Sequence, residues 1–171
     1  RGTSGKIVIE AGEPQVAKIL DSEGLPVRSA QNMDSILWGK LLVNLNNALN
    51  ALSDMPLLDQ LGDRKWRTRM ADQWDEALTV MRAAGISPKP PTPAPPGLIP
   101  PILRLPTPLF RLIAKQMLTI DPQARSSMWE DLQRGRKTEV DELQGEIVRL
   151  GKKHGIPTPE NARTYDEIRA I

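Results

Sequence analysis

The segment Asp34-Ser-Ile-Leu-Trp-Gly-Lys-Leu-Leu-Val-Asn-Leu-Asn-Asn-Ala-Leu-Asn-Ala-Leu52 has the periodicity of an α-helix. On a helical projection of about 100° per residue, Lys40, Asn44 and Asn47 fall within about 60° of one another. Apolar side chains occupy most of the remaining circumference: Trp38, Leu41, Leu42, Val43, Leu45, Ala48, Leu49 and Leu52. This distribution is typical of a helix that is buried on nearly all sides. We therefore predict one long apolar helix whose polar stripe also faces inward.

The polar stripe has two interpretations, and the projection leaves both open. In the first, the ammonium and the two carboxamides line a wet, polar cleft, because burying them elsewhere would cost free energy. Lys40 is then a candidate general acid. In the second, Lys40 extends along the apolar surface to reach water, and Asn44 and Asn47 satisfy loop carbonyls.

The N-terminal end of the chain has a different pattern. Residues 6–10 and 25–28 are short runs typical of β-strands, and a helix is predicted between them at about 14–22. No convincing strand pattern follows. We predict a small β-α-β unit within residues 1–31 and a mostly α-helical domain over residues 32–171.

The helical domain contains further elements with local signals. An amphipathic helix is predicted from about 63 to 84, ended by Gly85. Ten prolines within residues 87–108 remove amide donors, which predicts an extended, polyproline-like connection. Its apolar side chains favour packing on the protein body over a role as an SH3-type ligand: Leu98, Ile99, Ile102, Leu103 and Leu105. Helices are predicted again at 109–118 and 126–151, before a short terminal helix.

Ser127 begins the sequence Ser127-Met-Trp-Glu130, which has the serine-x-x-glutamate spacing of a capping box. We predict that Ser127 caps the last long helix. The same helix start is also a candidate anion site, because free amides, the positive end of the helix dipole and a serine hydroxyl meet there. A substrate carboxylate is a ligand that such a site could bind.

Glu139 falls on the apolar side of that predicted helix, about 20° from two of its leucines. A carboxylate in this position needs a partner. Either Arg136, one turn earlier, neutralises it, or Glu139 reaches the same cleft as Lys40 and receives hydroxyl groups. Gly135, in the middle of the helix, lowers helix propensity by up to about 1 kcal/mol relative to alanine and indicates a close approach of backbone or ligand.

The composition argues against several functions. The 23 Lys and Arg residues nearly balance the 21 Asp and Glu residues, so the pI near 9.1 does not predict a nucleic-acid-binding face. With no cysteine and one histidine, His154, a zinc or iron site is not expected. No apolar run approaches the roughly 20 residues of a membrane span, so a soluble, cytoplasmic protein is expected. Because the chain begins without methionine directly before a strand-like segment, we expect a fragment.

Three segments together resemble signatures of the ketopantoate reductases. Trp38-Gly-Lys-Leu-Leu-Val-Asn44 followed by Asn47 resembles the motif W-x-K-L-x-x-N…N that opens the C-terminal domain of that family. Residues 120–139 resemble its serine-serine-methionine…aspartate…arginine-x-threonine-glutamate block, and residues 155–161 resemble its closing G-I-x-x-P-x-N motif. The chain departs from many relatives at Ala48, where they place the second asparagine.

The resemblance implies an NADPH-dependent reduction of 2-dehydropantoate to pantoate, a step in pantothenate and coenzyme A synthesis. At the matching positions, Lys40 would donate a proton to the forming alkoxide. Asn44 and Asn47 would hold substrate oxygens, and Ser127 would bind the substrate carboxylate. Glu139 would contact the cofactor or substrate hydroxyls and is the cofactor-binding candidate.

The resemblance also implies an architecture. Residues 1–31 would be the last part of an N-terminal NADP-binding Rossmann domain, and residues 32–171 a helical domain of the 6-phosphogluconate dehydrogenase C-terminal type. No Gly-x-Gly-x-x-Gly occurs in the chain, so tight binding of NADPH by this chain alone is not expected. The expected partners are a small 2-oxo acid and NADPH, with a homodimer left open, and no metal, nucleic acid or membrane. Two alternatives remain: a reductase of another branched 2-oxo acid, and a non-enzymatic helical interaction module.

Overall fold

The computed structural model describes residues 7–12, 14–20, 26–89, 94–115 and 121–171. The elements in chain order are β1 (Ile7–Glu10), α1 (Pro14–Leu20), β2 (Val27–Ala30), α2 (Met33–Ser53), α3 (Leu57–Gly62), α4 (Arg64–Ala83), a 3-10 turn (Pro96–Leu98), α5 (Ile99–Arg104), α6 (Thr107–Ile113), α7 (Ser127–Gln133), α8 (Gln144–His154) and α9 (Pro159–Arg169). None of these helices is long and apolar enough to cross a membrane within the described ranges. The prediction of a mostly helical fold after a short β-α-β unit is confirmed.

The two strands form a parallel pair. Ile7 lies opposite Val27 and Glu10 lies opposite Ala30, with α1 in the connection between the strands. Parallel strands need such a crossover because the chain must return to the same end of the sheet. Residues 1–6 and 21–25, which include the edges of the predicted strands and helix, lie outside the described residues.

The long helix α2 is the centre of the core. Asn32 caps its N-terminus by accepting the Ser35 amide at 2.9 Å, and Asp54 ends it with a left-handed φ of 51°. It packs against α4, α7 and α9. Its buried leucines are Leu42, Leu45 and Leu49. They share one core with side chains from other helices: Trp74, Met81, Phe110, Met128 and Ile147. The predicted helix over 34–52 is confirmed.

We predicted that the polar stripe of α2 faces inward, and this prediction is wrong. Lys40 is exposed, and Asn44 and Asn47 are half-buried. The fully buried Leu45 and Leu49 lie about 140–180° from Lys40 on the projection. The core therefore packs on the side of α2 opposite the stripe, which leaves Lys40 at the surface.

The proline-rich segment is more helical than predicted. Residues 90–93 lie outside the described residues, but the following residues form the 3-10 turn, α5 and the start of α6. Pro100 and Pro101 lie in the first turn of α5, where amides have no intrahelical partner and proline is tolerated. The predicted continuous extended connection is therefore wrong. Of its apolar side chains, Ile99 and Leu103 are buried, Ile102 and Leu105 are partly buried against the core, and Leu98 is exposed.

Arg67 of α4 holds this segment against the helical body. Its side chain is only 1% exposed, and burial lowers its pKa. The guanidinium lies 4.3 Å from the centre of the Phe110 ring. The guanidinium donates five hydrogen bonds to acceptors on α3, on α5, in the turn before α6 and at the first residue of α6. These acceptors are the Leu61, Gly62, Leu103 and Leu105 carbonyls and Thr107 Oγ1, at 2.8–3.2 Å. The negative ends of two helix dipoles thus stabilise a buried cation.

The helix predicted over 126–151 is two helices, α7 and α8, separated by residues 134–143. Gly135 ends α7 with a φ of 60°. Its amide donates to the Leu132 carbonyl at 3.0 Å, and the next amide donates to the Asp131 carbonyl at 2.8 Å. This pair of bonds is a Schellman motif, which favours glycine. The predicted close approach of backbone at Gly135 is wrong, because a Cβ built there would meet no protein atom within 4 Å. An approach of ligand at Gly135 stays a prediction.

Gly135→Ala is expected to lower the free energy of unfolding by about 1–2 kcal/mol, because an L side chain is strained in the left-handed region. Gly97→Ala is the matched control, since Gly97 also has open space around its Cα but no positive φ. Urea unfolding of both variants beside the wild type measures the difference. Equal stability of the two variants would contradict the role given to Gly135.

The closing motif at residues 155–161 joins α8 to α9. Gly155 ends α8 with a φ of 67°. Glu76 of α4 caps α9 by accepting the Glu160 amide at 2.7 Å and the Asn161 amide at 2.9 Å, and the buried Asn161 side chain donates to it at 2.7 Å. Burial raises the pKa of Glu76, although these hydrogen bonds oppose the shift. The motif thus fastens α9 to α4.

Candidate functional site

Three of the five predicted site residues line one cavity, which we call the Lys40 cleft. Lys40 and Asn44 come from α2, one turn apart, and Glu139 comes from the segment between α7 and α8. Leu37, Leu41, Glu142 and Leu143 complete the lining of this cleft of about 200 Å³. An ammonium, a carboxamide and a carboxylate therefore border the same space, although Glu139 follows Asn44 by 95 positions and Lys40 by 99 positions in the sequence.

The charged groups of the cleft are not paired with one another. Among the described residues, no ion pair within 4.0 Å involves Lys40, Glu139 or Glu142. The predicted alternative of an Arg136–Glu139 pair is therefore wrong. Glu139 is exposed at the cleft because the chain leaves the helical path after Gly135. These groups are available to contact a ligand.

We predicted that Ser127 caps this helix, but Ser127 does not cap α7. The cap is Ser126, whose hydroxyl accepts the Trp129 amide at 3.2 Å and donates to the Asn47 carbonyl at 3.0 Å. Ser127 is the first residue of α7 and is exposed. Both serines lie at the start of the helix. The hydrogen bond from the Ser126 hydroxyl to α2 favours Ser126 as the capping residue. The Ser127 hydroxyl thus makes no cap bond and is accessible.

A buried carboxamide network, which the sequence analysis missed, fixes α7 against α2. Asn50 is fully buried, accepts the Ser126 amide at 2.8 Å and donates to Gln60 Oε1 at 3.0 Å. Gln60 donates in turn to Asn46 Oδ1 at 2.9 Å. Two asparagines four positions apart on an apolar helix are the signal that could have found it. The network sets the start of α7 beside the second half of α2.

The other two predicted residues lie outside the Lys40 cleft. Asn47 is half-buried and follows Asn44 by one turn of α2. Its backbone carbonyl accepts the Ser126 hydroxyl, so Asn47 and Ser127 lie close to the same contact between α2 and α7. The structure thus brings Lys40, Asn44 and Glu139 together and places Asn47 and Ser127 at a neighbouring position.

Comparison with known proteins assigns the chain to a family. The family model described as "Ketopantoate reductase PanE/ApbA C terminal" matches residues 32–171. The chain belongs to the ketopantoate reductase family. The match begins at Asn32, the residue that caps α2, and includes the whole Lys40 cleft. The family resemblance inferred from the sequence is confirmed.

Individual relatives agree with the family. The 2-dehydropantoate 2-reductase of Pyrobaculum aerophilum is 27% identical over 97% of this chain and 53% of its own length. The PanE/ApbA family ketopantoate reductase from Ralstonia eutropha JMP134 has a solved structure with 32% identity and a TM-score of 0.76, covering 98% of this chain and 51% of that one. A D-mandelate dehydrogenase structure shares the fold, with a TM-score of 0.76 at 21% identity, over 98% of this chain and 66% of that one. The chain spans about half the length of the curated relatives it matches.

Proposed function

We propose that this chain is the substrate half of an NADPH-dependent 2-dehydropantoate 2-reductase, which reduces ketopantoate to pantoate in pantothenate and coenzyme A synthesis. The observation that supports this proposal is the Lys40 cleft, which the lysine, asparagine and glutamate of the family motifs line together. In this proposal residues 32–171 are the substrate domain, and residues 1–31 are the last part of a nucleotide-binding Rossmann domain. A cytoplasmic location and a homodimer stay predictions.

Lys40 contacts the carbonyl oxygen of the 2-oxo acid in this proposal. An ammonium there stabilises the negative charge that develops as hydride reaches the carbonyl carbon, and it then supplies a proton to the alkoxide. Asn44, one turn along α2, holds a substrate oxygen, and Asn47 assists nearer to α7. Because Lys40 is exposed in this chain, the exclusion of water that strengthens these contacts is assigned to the nucleotide-binding half.

In this proposal the described residues of the Lys40 cleft contact the nicotinamide end of NADPH. Glu139 offers carboxylate oxygens to hydroxyl or amide donors of the cofactor. Lys40 is the single cation among the residues that line the described cleft, so the phosphates of the cofactor are assigned to the other half. When bound, the cofactor supplies the hydride. Glu139 is the cofactor contact that we propose for this chain.

The first test is ketopantoate-dependent oxidation of NADPH by the full-length protein. Turnover of ketopantoate in preference to other branched 2-oxo acids would support the proposal. A preference for another acid, including the aryl 2-oxo acid that corresponds to D-mandelate, would favour a related reductase. If no 2-oxo acid is reduced, a pull-down with residues 87–108 would test the alternative of a helical interaction module.

Ser127→Ala is expected to raise KM for ketopantoate about tenfold or more and to leave stability unchanged. A hydrogen bond to a charged group contributes about 1.5–3 kcal/mol, and the exposed Ser127 makes no cap bond. Ser126→Ala is the matched comparison, because it removes the cap and should lower the free energy of unfolding by about 1 kcal/mol. Steady-state kinetics and urea unfolding of both variants measure the two effects. Loss of stability with an unchanged KM in Ser127→Ala would contradict the proposed carboxylate contact.

A further inference from the structure

Glu142 places a second carboxylate in the Lys40 cleft. The chain between α7 and α8 turns so that the amides of Glu142 and Leu143 both donate to the Glu139 carbonyl, at 3.2 and 3.0 Å. Such a turn brings side chains three positions apart to the same side. Glu139 and Glu142 accordingly both line the cleft with Lys40. Glu142 lies beyond the signature segment that ends at Glu139, and it has no role in the function proposed above.

The ionised lining of the cleft carries one excess negative charge, because one ammonium faces two carboxylates. Glu139 and Glu142 are both exposed and make no ion pair among the described residues. Ionised carboxylates accept hydrogen bonds and cannot donate them. The lining therefore attracts hydrogen-bond donors and repels a further carboxylate, most strongly when water is excluded.

The proposed function orients the substrate along α2. Its carbonyl oxygen contacts Lys40, and its carboxylate lies toward Ser127 at the start of α7. The start of α7 contacts α2 at Asn47, about two turns beyond Lys40. The side chain of the substrate is then directed to the remaining part of the cleft, where Glu139 and Glu142 lie.

We propose that Glu142 is a specificity-determining residue that excludes 2-oxo acids with a second carboxylate in the side chain. This inference rests on the proposed function. A hydroxyl-bearing side chain such as that of ketopantoate can donate to Glu142. A second carboxylate meets two like charges, while Lys40 is already engaged with the carbonyl oxygen. The selectivity thus comes mainly from repulsion of the wrong substrate.

The experiment compares two acids in the full-length protein: ketopantoate, whose side chain is neutral, and 2-oxoglutarate, which carries a second carboxylate. Values of kcat/KM are measured for the wild type, for Glu142→Gln, and for the control Glu130→Gln on the exposed surface of α7. The ratio of kcat/KM for ketopantoate over 2-oxoglutarate is expected to fall at least about tenfold in Glu142→Gln. The Glu130→Gln ratio is expected to equal that of the wild type.

An unchanged ratio in Glu142→Gln, with ketopantoate still reduced by the wild type, would overturn the inference and leave the proposed function standing. An equal fall in Glu130→Gln would also overturn it, since the effect would then follow total charge. If the wild type reduces neither acid, the proposed function fails. In that case, the dissociation constants of the two acids are measured by calorimetry with NADP⁺ present. If Glu142→Gln leaves the ratio of the two dissociation constants unaltered, the inference is overturned.

Discussion

Lys40→Ala is expected to lower kcat of the full-length protein by about 10²–10⁴-fold, the range usual for loss of a general acid, which is the role proposed for Lys40. In the proposed function, the variant removes both the cation that stabilises the developing alkoxide and the proton that completes the reduction. Folding is expected to be unaffected, because Lys40 is exposed and makes no ion pair among the described residues. The measurement is ketopantoate-dependent NADPH oxidation, with circular dichroism to verify the helical content.

Two further variants make this prediction specific. Lys152→Ala, which removes an exposed lysine of α8 away from the cleft, should leave kcat unchanged. Lys40→Arg keeps the positive charge but gives up its proton far less readily, so its activity should fall between those of Lys40→Ala and the wild type. Turnover of Lys40→Ala within about twofold of the wild type would exclude Lys40 as the proton donor.

Arg67→Met is expected to lower the free energy of unfolding by about 3–5 kcal/mol, because it removes the charged donor of five hydrogen bonds to neutral acceptors. The methionine would fill much of the volume but would leave four carbonyls and the Thr107 hydroxyl without their donor. Each buried acceptor that loses its partner costs about 1–3 kcal/mol, partly relieved by water at the edge of the site. The expected loss of about 3–5 kcal/mol approaches the low end of the stability of small domains, which is about 5–15 kcal/mol.

Urea unfolding followed by circular dichroism measures this effect. Arg64→Met is the matched control, because Arg64 lies one turn earlier on α4 and is exposed. Among the described residues, its side chain makes a single hydrogen bond, to the Arg104 carbonyl at 3.3 Å. Its stability should change by no more than about 0.5 kcal/mol. Arg67→Lys keeps the charge but has three donors instead of five, so its stability should be intermediate. Equal stabilities of Arg67→Met and Arg64→Met would refute the anchoring role.

Signals that act within a few residues were enough to predict several helices. The predicted bounds of α2 and α4 are within one residue of the observed ones, because apolar periodicity, an N-terminal cap and a terminating Gly85 are local features. The family motifs also selected Lys40, Asn44 and Glu139, which meet in the cleft. Their contact with substrate or cofactor stays a prediction.

Predictions failed where a local pattern allowed two outcomes. Gly135 was taken as a weak point within a helix, whereas its left-handed conformation ends α7 and redirects the chain toward α2. The helical projection used for Glu139 therefore did not apply, although the residue still reaches the Lys40 cleft. Pro100 and Pro101 were expected to prevent a helix, but they lie in its first turn, where proline is compatible with helical geometry.

The sequence by itself determined the mostly helical class, the central helix α2 and membership of the ketopantoate reductase family. Only the tertiary structure decided that Lys40 is exposed, that Ser126 is the cap, and that Glu142 shares the cleft. The physical reason is that these properties depend on contacts between distant segments. The Ser126 hydroxyl, for example, reaches a carbonyl 79 residues earlier in the chain. The periodicity of one segment records which of its faces is apolar, but it does not record which neighbour covers that face.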